Sequence, residues 1–112
     1  MDTIAYYAMM ALLESGIRAF PITCEDIEQV LKSKGYQVKV FSLELSENIA
    51  ILQKNDLWSV AQKYKGFTYT SENKKIVLVR DTVGKVEKRK ILAHELGHIV
   101  LEHSAPPRYF RI

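Results

Sequence analysis

Residues 75–103 read KIVLVRDTVGKVEKRKILAHELGHIVLEH, and this stretch decides the fold that the sequence predicts. Its first six residues, Lys75–Arg80, are mostly β-branched or aliphatic, which is typical of a strand. Asp81 and Thr82 are suitable N-caps for a long helix that begins near residue 83 or 86 and continues to about residue 102. The centre of the predicted domain is therefore a strand that leads into a long helix.

The segments before this stretch alternate between helix-forming and β-branched sequence. The predicted elements are a helix over residues 3–15, a helix between Thr23 and Gly35, a strand over 36–43, a helical region over 46–64, and a strand over 67–70 joined by a polar turn to the strand over 75–80. This order predicts an α+β domain with helices packed on a small sheet of about three strands.

Several side chains mark the expected ends of these helices. Thr23 and Asp26 have the spacing of a capping pair for the second helix. The helical region over 46–64 is expected to break near Asn55-Asp56, where Asp56 could cap a shorter helix. The first helix is apolar on nearly every face, so we expect it to lie in the core rather than to dock on a partner.

Length and composition favour one soluble domain over residues 1–112. Of the 112 residues 47% are hydrophobic and 26% are charged, and the net charge of +3 is too small to indicate nucleic acid. Cys24 is the only cysteine, which excludes an internal disulfide and fits a reducing cytoplasm. The apolar segment near the N-terminus is shorter than the roughly 20 residues that cross a bilayer, so no membrane association is expected.

The candidate site is the run His94-Glu95-Leu96-Gly97-His98 in the last helix. Residues four apart lie on the same face of a helix, so the two imidazoles can bind one zinc ion. Glu95 lies beside them and can act as general base on a zinc-bound water, whose pKa the metal lowers towards neutrality. The alternative is an amphipathic helix with histidines that face solvent, but two histidines with a glutamate at this spacing rarely arise by chance.

The run from Ile91 to His103 resembles the core motif of the ImmA/IrrE family of metallopeptidases, which occur in bacteria, prophages and mobile elements. The order of elements is similar over most of the chain, although only the motif is specific. The resemblance implies a zincin-like fold with the HExxH motif on the last long helix. It also implies a zinc-dependent endopeptidase that cleaves a helix-turn-helix repressor in the cytoplasm, with His94 and His98 as metal ligands and Glu95 as general base.

The third zinc ligand is the point at which the sequence departs from that family. A catalytic zinc site has three protein ligands, and the family takes the third from an acidic residue on a following helix. Pro106-Pro107 interrupts the fourteen residues that follow His98, so we expect a domain truncated at its C-terminus that holds zinc weakly or not at all.

Three other residues are candidates to replace that ligand, Glu102, His103 and Cys24. Glu102 could make a strained contact one turn beyond His98. His103 is expected to be a surface or capping group, and Cys24 a small buried hydrophobic residue. Ser104 and Leu101 exclude the zincin class whose third histidine follows a glycine turn.

Two other functions remain as alternatives to an active peptidase. The first is a catalytically inactive pseudo-protease that acts as a protein-interaction or regulatory module. The second is a winged-helix DNA-binding domain, which is disfavoured because its reading helix would begin with Glu25, Asp26 and Glu28. For the peptidase, the strand Lys75–Arg80 could bind substrate by β-augmentation if it forms the sheet edge beside the metal.

The basic run before the motif is expected to be a solvated helix face, with guidance of an acidic partner as the alternative. Its residues are Lys85, Lys88, Arg89 and Lys90. The sequence leaves the oligomeric state, the substrate protein and the activating signal open.

Overall fold

A computed structural model describes residues 3–14, 16, 22–101 and 110–111 of the chain. The elements in chain order are α1 (Thr3–Glu14), α2 (Cys24–Ser33), β1 (Gln37–Phe41), α3 (Ser46–Lys54), α4 (Trp58–Lys63), β2 (Gly66–Thr70), β3 (Lys75–Arg80), α5 (Lys85–Leu101) and β4 (Phe110–Arg111). The predicted α+β class is confirmed: five helices pack on one small mixed sheet.

The strands are ordered β1-β3-β2-β4 across the sheet. The central strand β3 pairs in parallel with β1 and antiparallel with β2. The two-residue strand β4 pairs antiparallel with β2 and was not predicted. The interpretation of Lys75–Arg80 as a sheet edge is wrong: β3 is hydrogen-bonded on both sides, so its backbone is not available to a peptide.

The two faces of the sheet bury different helices. Val77 and Val79 of β3 lie in a cluster with α1, α2 and α5. Leu78, between them, packs against the opposite cluster formed with α3 and α4, which also contains Phe67 of β2. This alternation follows from the period of two in a strand, and it places α5 against the Val77 face.

The capping predictions had mixed outcomes. The Thr23–Asp26 capping box is confirmed, because each side chain accepts a hydrogen bond from the other residue's backbone N–H, at 3.2 and 2.9 Å. The predicted break near Asn55-Asp56 is also confirmed, but the N-cap position of α4 is taken by Leu57 rather than Asp56. Asp56 has a φ of 61°, and Leu57 N–H donates to Leu52 O at 2.7 Å, so this turn closes α3 as a Schellman motif.

Asp81 and Thr82 do not cap α5, which begins later at Lys85. The reason is a turn that ties the end of β3 to β1: Asp81 N–H donates to Phe41 O at 2.8 Å and Val83 N–H donates to Arg80 O at 3.3 Å. The first helical hydrogen bond of α5 runs from Lys88 N–H to Gly84 O at 2.8 Å. The helix therefore starts only after the chain has turned back over the sheet.

In both the first helix and the basic run, some residues are exposed and others pack against the rest of the protein. In α1, Ala8, Ala11 and Leu12 are buried in the core as expected, whereas the neighbouring Met9 and Met10 are more exposed. In the basic run, Lys85 and Lys90 are exposed as expected. The other two members contact α2 or the residues just before it. Lys88 pairs with Glu28 of α2 at 3.9 Å, and Arg89 donates to the backbone oxygen of Ile22, which precedes α2, at 3.5 Å.

The helix α5 approaches the sheet closely at Gly66. A Cβ atom at this position would clash with Ile91 Cγ2 of α5. Ile91 is buried in the core, so it cannot easily move away. Gly66→Ala is therefore expected to lower the free energy of unfolding by about 1–3 kcal/mol through overpacking. Urea unfolding followed by circular dichroism measures this change.

Gly84→Ala is the matched control, because a Cβ there meets no atom within 4 Å. We expect it to cost less than about 1 kcal/mol, the range of a helix N-cap substitution. Equal stability of the two variants would show that α5 does not sit this close to β2.

Candidate metal centre

The packing of α5 determines where its polar side chains project. Leu92, Leu96 and Ile99 are buried against the sheet and neighbouring helices. His94 and His98 lie between these positions and remain partly exposed. Because four residues make slightly more than one turn, the two imidazoles project from adjacent turns on one side of the helix.

The two histidines meet through the nitrogens that commonly bind metals. His94 Nε2 and His98 Nε2 are 2.9 Å apart. Their ring centroids are 4.6 Å apart, and the ring planes are inclined at 71°. The structure therefore brings together the two predicted ligands with their Nε2 atoms converging on one point.

This donor pair fits a zinc ion. Two imidazole nitrogens that bind one tetrahedral zinc at about 2.0–2.1 Å are separated by roughly 3.3 Å, so the observed pair needs only a small opening. The same separation also allows one imidazole N–H to donate to the other ring. Both arrangements keep the two Nε2 atoms facing each other.

Glu95 lies on the sheet side of α5 and is fully buried. Its Oε1 accepts a hydrogen bond from Thr68 Oγ1 of β2 at 2.7 Å. Its Oε2 is buried with no hydrogen-bond partner among the described residues. Burial raises the pKa of this carboxyl to about 8, against the smaller lowering by the Thr68 hydroxyl. A carboxyl that titrates near neutrality can both accept and release a proton.

Thr68 is a residue of the candidate site that the sequence analysis did not identify. It pairs in register with Val77, so its side chain points to the face of the sheet that α5 covers, where it is fully buried. The signal in the sequence was the position of Thr68 between two aromatic residues, Phe67 and Tyr69, which are expected to point to the opposite face of the strand. Only the register shows that this hydroxyl faces Glu95.

The other ligand candidates do not complete the site among the described residues. Within the residues that the structure describes, no group of three histidine, cysteine, aspartate or glutamate side chains is placed to hold a metal ion. Cys24 is buried, as expected, and its Sγ lies 3.6 Å from Lys85 O in the first turn of α5. Lys85 precedes His94 by nine residues, or roughly 14 Å along the helix. Glu102 and His103 lie outside the described residues.

The comparison with protein families identifies the class to which this site belongs. Residues 47–111, more than half of the chain, match a metallopeptidase-type family, and the match includes all of α5. That family is the IrrE N-terminal-like domain family, Peptidase_M78, and the chain belongs to it. This confirms the resemblance to ImmA/IrrE proteins.

No curated protein and no solved structure gave a significant match to the chain. Along the residues that the structure describes, every helix is too short or too polar to span a bilayer.

The buried carboxyl of Glu95 predicts a specific pH dependence of stability in the metal-free protein. Its pKa is about 8 in the folded chain but roughly 4.3 when unfolded. Between these values only the folded state holds the proton, so the free energy of unfolding falls as the pH rises from about 4.3 to 8. The stabilisation is complete below the lower value and is lost as the pH passes the upper one.

Glu95→Gln is expected to remove this part of the pH dependence, which amounts to about 5 kcal/mol across that range. Urea unfolding in a chelating buffer from pH 5 to 9 measures it. Glu87→Gln on the same helix is the control, because the Glu87 side chain is 44% exposed, and it should retain the parent slope. Identical profiles for the parent chain and Glu95→Gln would contradict the buried placement of this carboxyl.

Proposed function

We propose that this chain is the metal-binding and catalytic part of a zinc-dependent endopeptidase of the ImmA/IrrE type, with a zincin-like fold whose HExxH motif lies on α5. The observation that carries the proposal is the convergence of His94 Nε2 and His98 Nε2 to 2.9 Å on one side of that helix. Membership of the IrrE N-terminal-like domain family supports it.

His94 and His98 would hold the zinc ion through their Nε2 atoms. When bound, zinc supplies Lewis-acid polarisation of a peptide carbonyl and lowers the pKa of a water molecule. The third protein ligand would come from an acidic residue outside the described part of the chain, as in the family. With two histidines alone, zinc is expected to bind weakly.

Glu95 is the general base in this proposal. Its Oε2 has no partner among the described residues, and this atom would accept the proton of the attacking water and return it to the leaving amine. The hydrogen bond from Thr68 holds the other oxygen, Oε1, and so fixes the orientation of the carboxyl group. Burial raises the pKa of Glu95 to about 8 in the metal-free chain, and a zinc ion held beside it would favour the ionised carboxylate that a base requires.

The proposed substrate is a helix-turn-helix transcriptional repressor in the cytoplasm. This part of the proposal rests on the resemblance to ImmA/IrrE proteins. A reducing compartment also fits the single cysteine, Cys24, which is buried beside the start of α5.

Three variants separate metal binding from proton transfer. In equilibrium dialysis against a range of zinc concentrations, elemental analysis should find weakly bound metal in the parent chain and in Glu95→Gln but not in His94→Ala. Cleavage of a purified helix-turn-helix repressor, followed by mass spectrometry, should occur in the parent chain and slow by at least about 100-fold in Glu95→Gln. Glu87→Gln should retain both properties, because Glu87 lies near the start of α5, away from the histidines.

Zinc retention by His94→Ala, or unchanged cleavage by Glu95→Gln, would contradict the assigned roles. Zinc binding by the parent chain without any cleavage would favour the inactive interaction module over the enzyme. Absence of zinc from the parent chain would contradict the metal centre itself.

A further inference from the structure

A second site lies on the opposite face of the sheet from α5. The elements α3 and α4 cover only one end of this face, where Leu52, Leu57 and Phe41 are buried. At the other end Ile76, Leu78 and Tyr69 are only half-buried. Between α3 and these strands is a cavity of about 380 Å³, which lies within the size range of small-molecule sites.

The cavity has an apolar interior and a positively charged mouth. Its lining includes two lysines, Lys39 and Lys74, and the apolar or aromatic side chains of Phe41, Leu52, Leu57, Tyr69, Ile76 and Leu78. Both lysines are exposed, and neither forms an ion pair with a carboxylate among the residues that the structure describes. No acidic side chain among the described residues lines the cavity. Within that part of the chain, the charge of the lining is therefore of one sign.

Two other polar side chains of the lining, Asn48 and Asn55, already form hydrogen bonds within the fold. Asn48 Oδ1 accepts from Ser42 N–H at 2.9 Å, and Asn55 Nδ2 donates to Ile51 O at 2.8 Å. The charged side chains of the lining are thus Lys39 and Lys74, and most of the other lining residues are apolar. This arrangement complements a ligand with an apolar body and one anionic end.

We propose that this cavity binds a small amphipathic carboxylate, with its apolar chain against Ile76 and Leu78 and its carboxylate between Lys39 and Lys74. The site is independent of the proposed peptidase function, because none of its lining residues lies on α5. It is nevertheless adjacent to the metal centre through β2: Tyr69 lines the cavity, and the preceding residue, Thr68, holds Glu95 on the other face.

Octanoate is a suitable probe, with octanamide as its neutral counterpart. Titration of the ¹⁵N-labelled chain should give an octanoate Kd below about 1 mM, within the reach of a ten-atom ligand, and octanamide should bind at least about fivefold more weakly. The amides of Tyr69, Ile76 and Leu78 should move, and those of His94 and His98 should not. Equal affinity for the two compounds, or no octanoate binding at 10-fold higher concentration, would overturn the proposal.

Variants at the mouth test the role of charge. Lys39→Gln combined with Lys74→Gln should raise the octanoate Kd by about fivefold, as expected for two exposed charges, whereas Lys63→Gln outside the cavity should leave it unchanged. An unchanged Kd in the double variant would overturn the assignment of the carboxylate to the lysines.

Ile51 allows the charge to be reversed without disturbing the core, because it lines the mouth and is 59% exposed. Ile51→Glu should raise the octanoate Kd about tenfold or more and improve octylammonium binding, while Ile51→Gln should change the octanoate Kd less than about threefold. If Ile51→Glu instead converted a dimer into a monomer in sedimentation, a second copy would be the occupant and the proposal would be wrong. His94→Ala should bind octanoate as the parent chain does, which separates this result from the fate of the metal centre.

Discussion

The packing of α5 against the sheet is the constraint on which the rest of the structure depends. Leu92 and Leu96 are fully buried on the face formed by Val77 and Val79 of β3. Since the rotation of a helix about its axis fixes every side-chain direction, these two leucines also determine where the polar residues of α5 project. Glu95 is thereby turned towards β2, while the two histidines remain at the partly exposed side.

This rotation gives the members of one sequence motif different environments. The histidines stay partly exposed, and their Nε2 atoms converge. The glutamate loses its hydration, which raises its pKa, and its hydrogen-bond partner among the described residues is the Thr68 hydroxyl. A ligand pair and a neighbouring carboxyl are the two kinds of group that the proposed hydrolysis by a metal-activated water would use.

The sequence predicted the elements and the histidine pair because both depend on local spacing. Period-two and period-3.6 patterns located the strands and helices, and the i, i+4 rule placed His94 beside His98. The sequence could not predict features that depend on contacts between distant segments. The order of strands made β3 central rather than an edge, the link from Asp81 to Phe41 delayed the start of α5, and only the register of β2 and β3 turned Thr68 towards Glu95.

The central claim is that His94 and His98 share one zinc ion, and nitrogen NMR of the ¹⁵N-histidine-labelled chain tests it most directly. The account predicts that the Nε2 resonances of both residues move together to metal-bound positions along a single zinc titration curve. A shift of only one of the two, or separate saturation at two different zinc concentrations, would contradict it.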